Sequence, residues 1–353
     1  MFQSSEYLRR PRAGFALAVV ACAMAFAGVP SGASAATTPF DTQGMWIWYV
    51  SQAERGSVNR IAARARRYKV KTVFVKSSDG SNWWKQFDQY IAPLKAKGLR
   101  VCAWQYIYGR NPAAEANLGA RAVQAGADCL VINAEVEYKT KYTAAQTYIT
   151  QLRSQIGTDY PLGFTSFAYP DFHPTVPYSV FLGPGGAQWN LPQMYFKAFG
   201  SRIRSVYYKT YSLNQIYQRK IHPLGQTYSG VRYRSVVEFR RNAKRYRTRG
   251  YSWWVWHHTR SDAWRGLRRR LGRVGRKPAT SYPLLRRGSK GDLVRWGKLK
   301  LNAAGATLSL NSNFDRPMAN AVVVFQQQRG LPATGQLDAL TWPVLQSVDL
   351  PAP

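Results

Sequence analysis

Between residues 44 and 272, short apolar runs alternate with amphipathic stretches, and the alternation recurs eight times. The runs at 45–50, 71–76, 100–106 and 128–135 are four to eight residues long and rich in Val, Ile and aromatic residues, and they read as strands. Stretches at 58–68, 83–97, 112–125 and 144–156 carry helical spacing between them. Gly98 and Gly126 stand where two of these helices should stop. The second half repeats the pattern more loosely, with strands at 161–167, 189–195, 224–228 and 251–256 and helices at 235–247 and 262–271. Eight strand–helix units over about 230 residues predict an α/β fold, a (β/α)8 TIM-like barrel. A doubly wound open sheet is the alternative, but no glycine-rich phosphate loop follows the first strand.

The pattern changes at both ends of this region. Arg9, Arg10 and Arg12 precede an apolar run at 15–29, and Ala33-Ser34-Ala35 is a small-residue cleavage signal. Residues 1–35 therefore read as a signal peptide, with the mature chain starting near Ala36. The run is shorter than the roughly 20 apolar residues of a membrane span, so no stable transmembrane segment is expected after cleavage. Residues 273–282 read as a basic linker containing Gly and Pro. Beyond it, residues 283–347 read as a small all-α domain, in which Pro332 and Gly335 mark a turn and Trp342 would pin the last helix.

Four segments of that domain carry a resemblance. Leu285-Arg286-Arg287-Gly288-Ser289-Lys290-Gly291-Asp292 comes first, then Ala321-Val322-Val323-Val324-Phe325-Gln326. Gly330-Leu331-Pro332-Ala333-Thr334-Gly335 and Thr341-Trp342-Pro343-Val344-Leu345 follow. In this order they closely resemble a peptidoglycan-binding domain, a three-helix module. The resemblance implies peptidoglycan as partner and a secreted, cell-wall-associated location. Two positions depart from the family pattern. Trp296-Gly297-Lys298 stands where a Leu-Gln pair is usual, and Asn313-Phe314-Asp315-Arg316-Pro317 replaces an Asp-Gly-x-Phe-Gly turn. A helical appendage that binds no glycan is the alternative reading.

Charge narrows the partners. Lys and Arg number 50 against 17 Asp and Glu, a formal charge of +33, which falls to about +31 without residues 1–35. Residues 201–290 hold 24 Lys and Arg against Glu238 and Asp262 alone. Such a field favours a polyanion; for an exported protein that means anionic wall polymers, anionic lipid or acidic glycan, not nucleic acid. A solvated alkaline surface without a partner is the bland alternative. Cys102 and Cys129 fall on neighbouring strands, where disulfide geometry is rare. Two buried thiols are expected, with a bridge as the alternative outside the cell.

The active site of such a barrel lies at the carboxyl ends of its strands. Asn133, Glu135 and Glu137 stand there at alternate positions and so share a face. Paired carboxylates suit glycosidic cleavage, one protonating the leaving oxygen and the other activating water or attacking carbon. The alternative leaves both glutamates in a loop, partnering Lys139 or Lys141. Residues 44–272 also distantly resemble the family 25 lysozyme barrels, on residues 133–138, on Lys76 to Gly80 and on Gln193-Met194-Tyr195. That resemblance maps Glu135 onto the general acid; the family's second carboxylate has no clean counterpart here, and Glu137 and Asp79 are the available substitutes. Here Asn133 replaces the first Asp of the family's Asp-x-Glu pair, and the first strand ends without an Asp. The other expected substrate-binding residues are Asn133, Lys76, Gln105, Tyr106, Gln193, Tyr195, Gln226, Tyr228 and Trp256, polar or aromatic groups at strand ends that suit sugar rings or fill the core. No Cys/His cluster has metal spacing, and neither metal nor cofactor is expected; no Ser-His-Asp order stands out, so peptidase chemistry is not expected.

Overall fold

The computed structural model describes residues 37–351; the expected signal peptide at 1–35 lies outside them. Eight parallel staves form the sheet. They are β1 Gln43–Ile47, β2 Thr72–Asp79, β3 Arg100–Ile107, β4 Leu130–Ala134 and β5 Leu162–Thr165, then the split staves β6 (Trp189–Asn190 and Gln193–Met194) and β7 (Lys220–Ile221 and Leu224–Gln226), and β8 Tyr251–Trp254. Pro192 and Pro223 fall at the two interruptions, where a missing N–H cannot join a ladder. β1 pairs with both β8 and β2, and pairing continues through β5. The first half of β6 pairs with β5, both halves of β6 pair with β7, and β7 pairs with β8, so the ring closes.

Strand alternation sorts the core into two layers. Trp46, Phe74, Cys102, Trp104, Val131 and Trp189 point inward and pack together. Their neighbours Met45, Ile47, Val73, Val75, Val101, Ala103, Leu130 and Ile132 point outward against the helices. Phe40, from the turn Pro39–Asp41, stacks on Trp189 at 4.7 Å inside the barrel. Cys102 and Cys129 are disulfide-bonded, which corrects the expectation of two thiols. Cys102 in β3 and Cys129 just before the adjacent β4 both face inward with Cα atoms 4.6 Å apart, within the span of a disulfide.

The helices around the barrel are α1 Val58–Arg67, α2 Gln86–Ala96, α3 Pro112–Gln124, α4 Tyr142–Ile156, α5 Tyr178–Phe181, α6 Ile203–Asn214, α7 Tyr233–Arg245 and α8 Ser261–Arg268. α6 was not anticipated from the pattern. Ile203, Val206, Tyr207, Thr210, Tyr211 and Asn214 are buried at helical spacing, but β-branched and aromatic residues favour strands and obscured it. Trp83, expected in a helix, belongs instead to the short strand Asn82–Trp83, antiparallel to β2.

The C-terminal part is helical: α9 Asp292–Ala303, α10 Arg316–Gln328 and α11 Thr341–Gln346. The residues that depart from the family pattern have structural work here. Asp315 Oδ1 accepts from Met318 N at 3.0 Å and caps α10, with Pro317 in its first turn. Lys298 Nζ bonds Asn311 Oδ1 at 2.9 Å and Asp315 Oδ2 at 3.0 Å. A side chain at Gly297 would collide with Leu337. Trp296 is buried, and its Nε1 donates to Ile216 O of the barrel at 2.8 Å. Asp292, also buried, accepts from Ser179 N, Ser179 Oγ and Tyr217 OH at 2.8, 2.6 and 2.9 Å. Thus the helical part docks directly on the barrel, and the chain from Thr37 forms one unit.

Candidate active site

A cavity of about 370 Å³ opens at the carboxyl ends of the staves. Trp46, Trp48, Trp104 and Trp254 form its aromatic wall. Trp104 lies 5.5 Å from Trp46 and 5.4 Å from Trp254, in tilted and edge-on contacts. Trp48 Nε1 is buried without a hydrogen-bond partner.

Three carboxylates face this wall. Glu135 follows the last residue of β4. Burial raises its pKa and the nearby Glu137 charge adds to the rise, opposed by hydrogen bonds from Gln193 and Asn133. Gln193 Nε2 donates to Glu135 Oε1 at 2.7 Å and approaches Asn133 Oδ1 at 3.4 Å. Glu137 sits in the 3-10 turn Val136–Tyr138, which folds it back to the cavity, and its Oε2 accepts from Tyr106 OH at 2.6 Å. Burial first, then that hydrogen bond, holds the Tyr106 proton far above the usual phenol range.

Asp79 reaches the cavity through a register shift. Lys76 and Asp79 are three residues apart and would face opposite sides of a regular strand. β2 is irregular between Lys76 and Ser78, pairing Lys76 with Trp104 and Asp79 with Tyr106, both inward positions. Lys76 and Asp79 form an ion pair, and Asp79 Oδ1 accepts from Tyr108 OH at 2.7 Å. That bond, then burial, pushes Tyr108 up to about 12. The Lys76 ammonium lies 4.9, 4.3 and 5.0 Å from the ring centres of Trp48, Trp84 and Trp104. Burial lowers its pKa despite the Asp79 carboxylate.

Residues 290–345 match the family described as a putative peptidoglycan binding domain. The matched segment is the one whose motifs resemble that family. A peptidoglycan-binding protein from Clostridioides difficile is 33% identical over 18% of this chain and 40% of its own, with a TM-score of 0.18. A family 25 glycosyl hydrolase from Bacillus anthracis is 15% identical over 42% of this chain and 69% of its own, with a TM-score of 0.32. A family 39 glycoside hydrolase from the gut symbiont Bacteroides cellulosilyticus WH2 is 11% identical over 72% and 68%, with a TM-score of 0.46. No curated protein sequence matches the chain.

Of the residues expected from sequence, Lys76, Asp79, Tyr106, Asn133, Glu135, Glu137, Gln193 and Tyr195 come together in the cavity. Four do not line it. Gln105 precedes Tyr106 on β3 and so points the other way, bonding Glu115 O at 2.9 Å and Tyr148 OH at 2.9 Å in the helical layer. Gln226 is fully buried, and its Oε1 accepts from Lys197 N and Ala198 N to order the loop after β6. Tyr228 stands behind Tyr195, edge-on at 5.6 Å. Trp256 lies past the end of β8, donating to Glu54 Oε1 at 3.1 Å and packing on Trp264.

The sequence reading missed Trp46, Trp48, Trp104, Tyr108 and Trp254 as site residues. The signal was present: Trp104, Tyr106 and Tyr108 follow at two-residue spacing along β3 and just past its end, as Trp46 and Trp48 do at the end of β1. Among the described residues no group of three or more His, Cys, Asp or Glu side chains could hold a metal ion.

Proposed function

We propose that the protein is an exported cell-wall glycoside hydrolase that cleaves peptidoglycan or a related glycan and is held on it by the C-terminal domain. The observation that carries this reading is Glu135, half-buried with a raised pKa beside Glu137 in a tryptophan-walled cavity. A carboxyl group kept protonated toward neutral pH is what an acid catalyst requires. Glu135 donates its proton to the leaving glycosidic oxygen. Glu137, oriented by Tyr106, supports positive charge at the anomeric carbon or activates water, and Asp79 is the alternative second carboxylate. The tryptophan faces suit the C–H faces of a pyranose. Asn133, Gln193 and the unpartnered Trp48 Nε1 suit its hydroxyl and acetamido groups. The run at 15–29 and the Ala33-Ser34-Ala35 site support export, as does the Cys102–Cys129 bridge.

Release of reducing ends from purified peptidoglycan tests the reaction. Glu135→Gln should lower the rate by about 100-fold or more, the scale of general acid catalysis. Undiminished release by this variant would remove Glu135 from its role.

A second reading, a glycan-binding protein on a barrel without catalysis, is favoured by two observations. β1 leads into Trp48 and Tyr49 without a carboxylate, and Lys76 is paired with Asp79. On that reading the wild type binds glycan fragments but releases no reducing ends, and Glu135→Gln binds them equally well.

A further inference from the structure

Away from the cavity, unpartnered charge concentrates between α6 and α7. A cleft of about 810 Å³ there is lined by Arg202 and Arg204 at the start of α6, Arg234, Arg241 and Arg245 along α7, and Arg269 just beyond α8. Five of the six are exposed and Arg245 is half-buried. Among the described residues none of the six forms an ion pair. Glu238 is the single carboxylate in the lining, and it too is without an ion pair. The backbone at Arg269 is fixed, since buried Arg240 donates to Arg269 O at 2.8 Å and to Gly266 O at 2.7 Å.

Like charges gathered on one concave surface destabilise the free protein; Arg241 and Arg245, four apart on a helix, repel directly. An anion relieves that cost. We propose that this cleft binds an extended phosphodiester polymer that accompanies peptidoglycan in the cell wall. The proposal rests on the cell-wall reading above but not on catalysis. Three features specify the ligand. Every basic side chain in the lining is arginine, whose planar fork grips two oxygens of one phosphate. Arg234, Arg241 and Arg245 lie at helical spacing along one face and span about 16 Å of α7, which calls for repeated charges on a chain. The surface is a cleft, which admits a polymer strand and excludes a flat bilayer. The lining runs from the amino ends of α6 and α7, at Arg202, Arg204 and Arg234, to the carboxyl ends of α7 and α8, at Arg245 and Arg269, so the cleft follows the flank of the barrel.

The test uses the full mature chain in co-sedimentation with purified walls, either intact or hydrolysed to remove the phosphodiester polymer. Arg234→Glu/Arg241→Glu reverses two exposed cleft charges; Arg66→Glu/Lys97→Glu makes the same net change on exposed positions elsewhere. The wild type should bind intact walls about tenfold or more tighter than stripped walls near 0.15 M salt, with a steep salt dependence. The cleft variant should lose that difference and bind stripped walls as the wild type does, while the control keeps it. Matching unfolding midpoints establish that both variants fold. Equal loss in the control would reduce the effect to net charge and overturn the proposal. So would equal wild-type binding to both walls, or tighter binding to vesicles rich in anionic lipid that the cleft variant abolishes. A wild type that binds soluble polymer through the cleft but not stripped peptidoglycan would sustain the cleft and overturn the glycan-binding reading instead.

Discussion

Glu135 and Glu137 reach the same cavity by different means, and their roles should separate in a pH profile. Glu135 continues the inward face of β4, whereas Glu137 arrives through a 3-10 turn and is held by Tyr106 OH at 2.6 Å. As the acid, Glu135 must be protonated, and its pKa is raised chiefly by burial. Activity should therefore persist above the ordinary glutamate range and fall as pH rises through the raised value. An alkaline limb at or below about pH 4.3 would contradict this. Tyr106→Phe removes the donor to Glu137 and should lower kcat by about tenfold, the scale of one lost hydrogen bond to a charged group, with little change in KM. Lys76 offers a sharper contrast between function and stability. Its side chain is 2% exposed among three tryptophan faces, whereas Asp79 is 28% exposed and still accepts from Tyr108. Lys76→Met swaps a desolvated ammonium for a thioether of similar length, so thermal unfolding should move by no more than about 1 kcal/mol. Glycan turnover should nonetheless fall if Asp79 needs that ion pair.

At the level of elements, α9 is the informative helix. Its first residue, Asp292, is buried against Ser179 and Tyr217, and burial raises its pKa to about 6. A carboxyl whose pKa rises on folding favours the protonated folded state. Its contribution to stability is therefore fully present below about pH 4 and is lost as pH climbs toward 6, by at most about 3 kcal/mol. Asp292→Asn cannot ionise, so the pH dependence of the unfolding midpoint should flatten between about 4 and 6; an unchanged slope would exclude Asp292 as its source. The same helix shows why the family pattern was only partly legible. Trp296-Gly297-Lys298 reads as a departure from a glycan-binding module, yet each residue meets a partner remote in sequence: Ile216, Leu337 and Asp315. No local pattern reports such contacts.

For the whole molecule, direct docking makes the barrel and the helical domain one unit from Thr37 onward. One cooperative thermal transition is expected. Trp296→Ala should cost about 3–5 kcal/mol at the junction and split the transition in two; a single sharp transition in that variant would mean the junction carries little of the coupling. Export belongs to this scale as well: sequencing the amino terminus of the secreted protein should find a start near Ala36, and an intact Met1 would refute cleavage.

Local periodicity in the sequence determined the eight staves, most of the helices and the three-helix C-terminal segment, because alternation every two or 3.6 residues is written into neighbouring positions. It also carried Glu135, Asn133, Tyr106 and Gln193 to the right end of the barrel. Tertiary structure alone decided the rest. Ring closure brought Trp254 of β8 beside Trp104 of β3, and an irregularity in β2 turned Asp79 inward beside Lys76. The meeting of inward faces joined Cys102 to Cys129. The physical reason is common to all three. Strand alternation assigns a residue to one of two faces, but which faces meet depends on register, bulges and closure, and these are set by contacts between residues far apart in the chain.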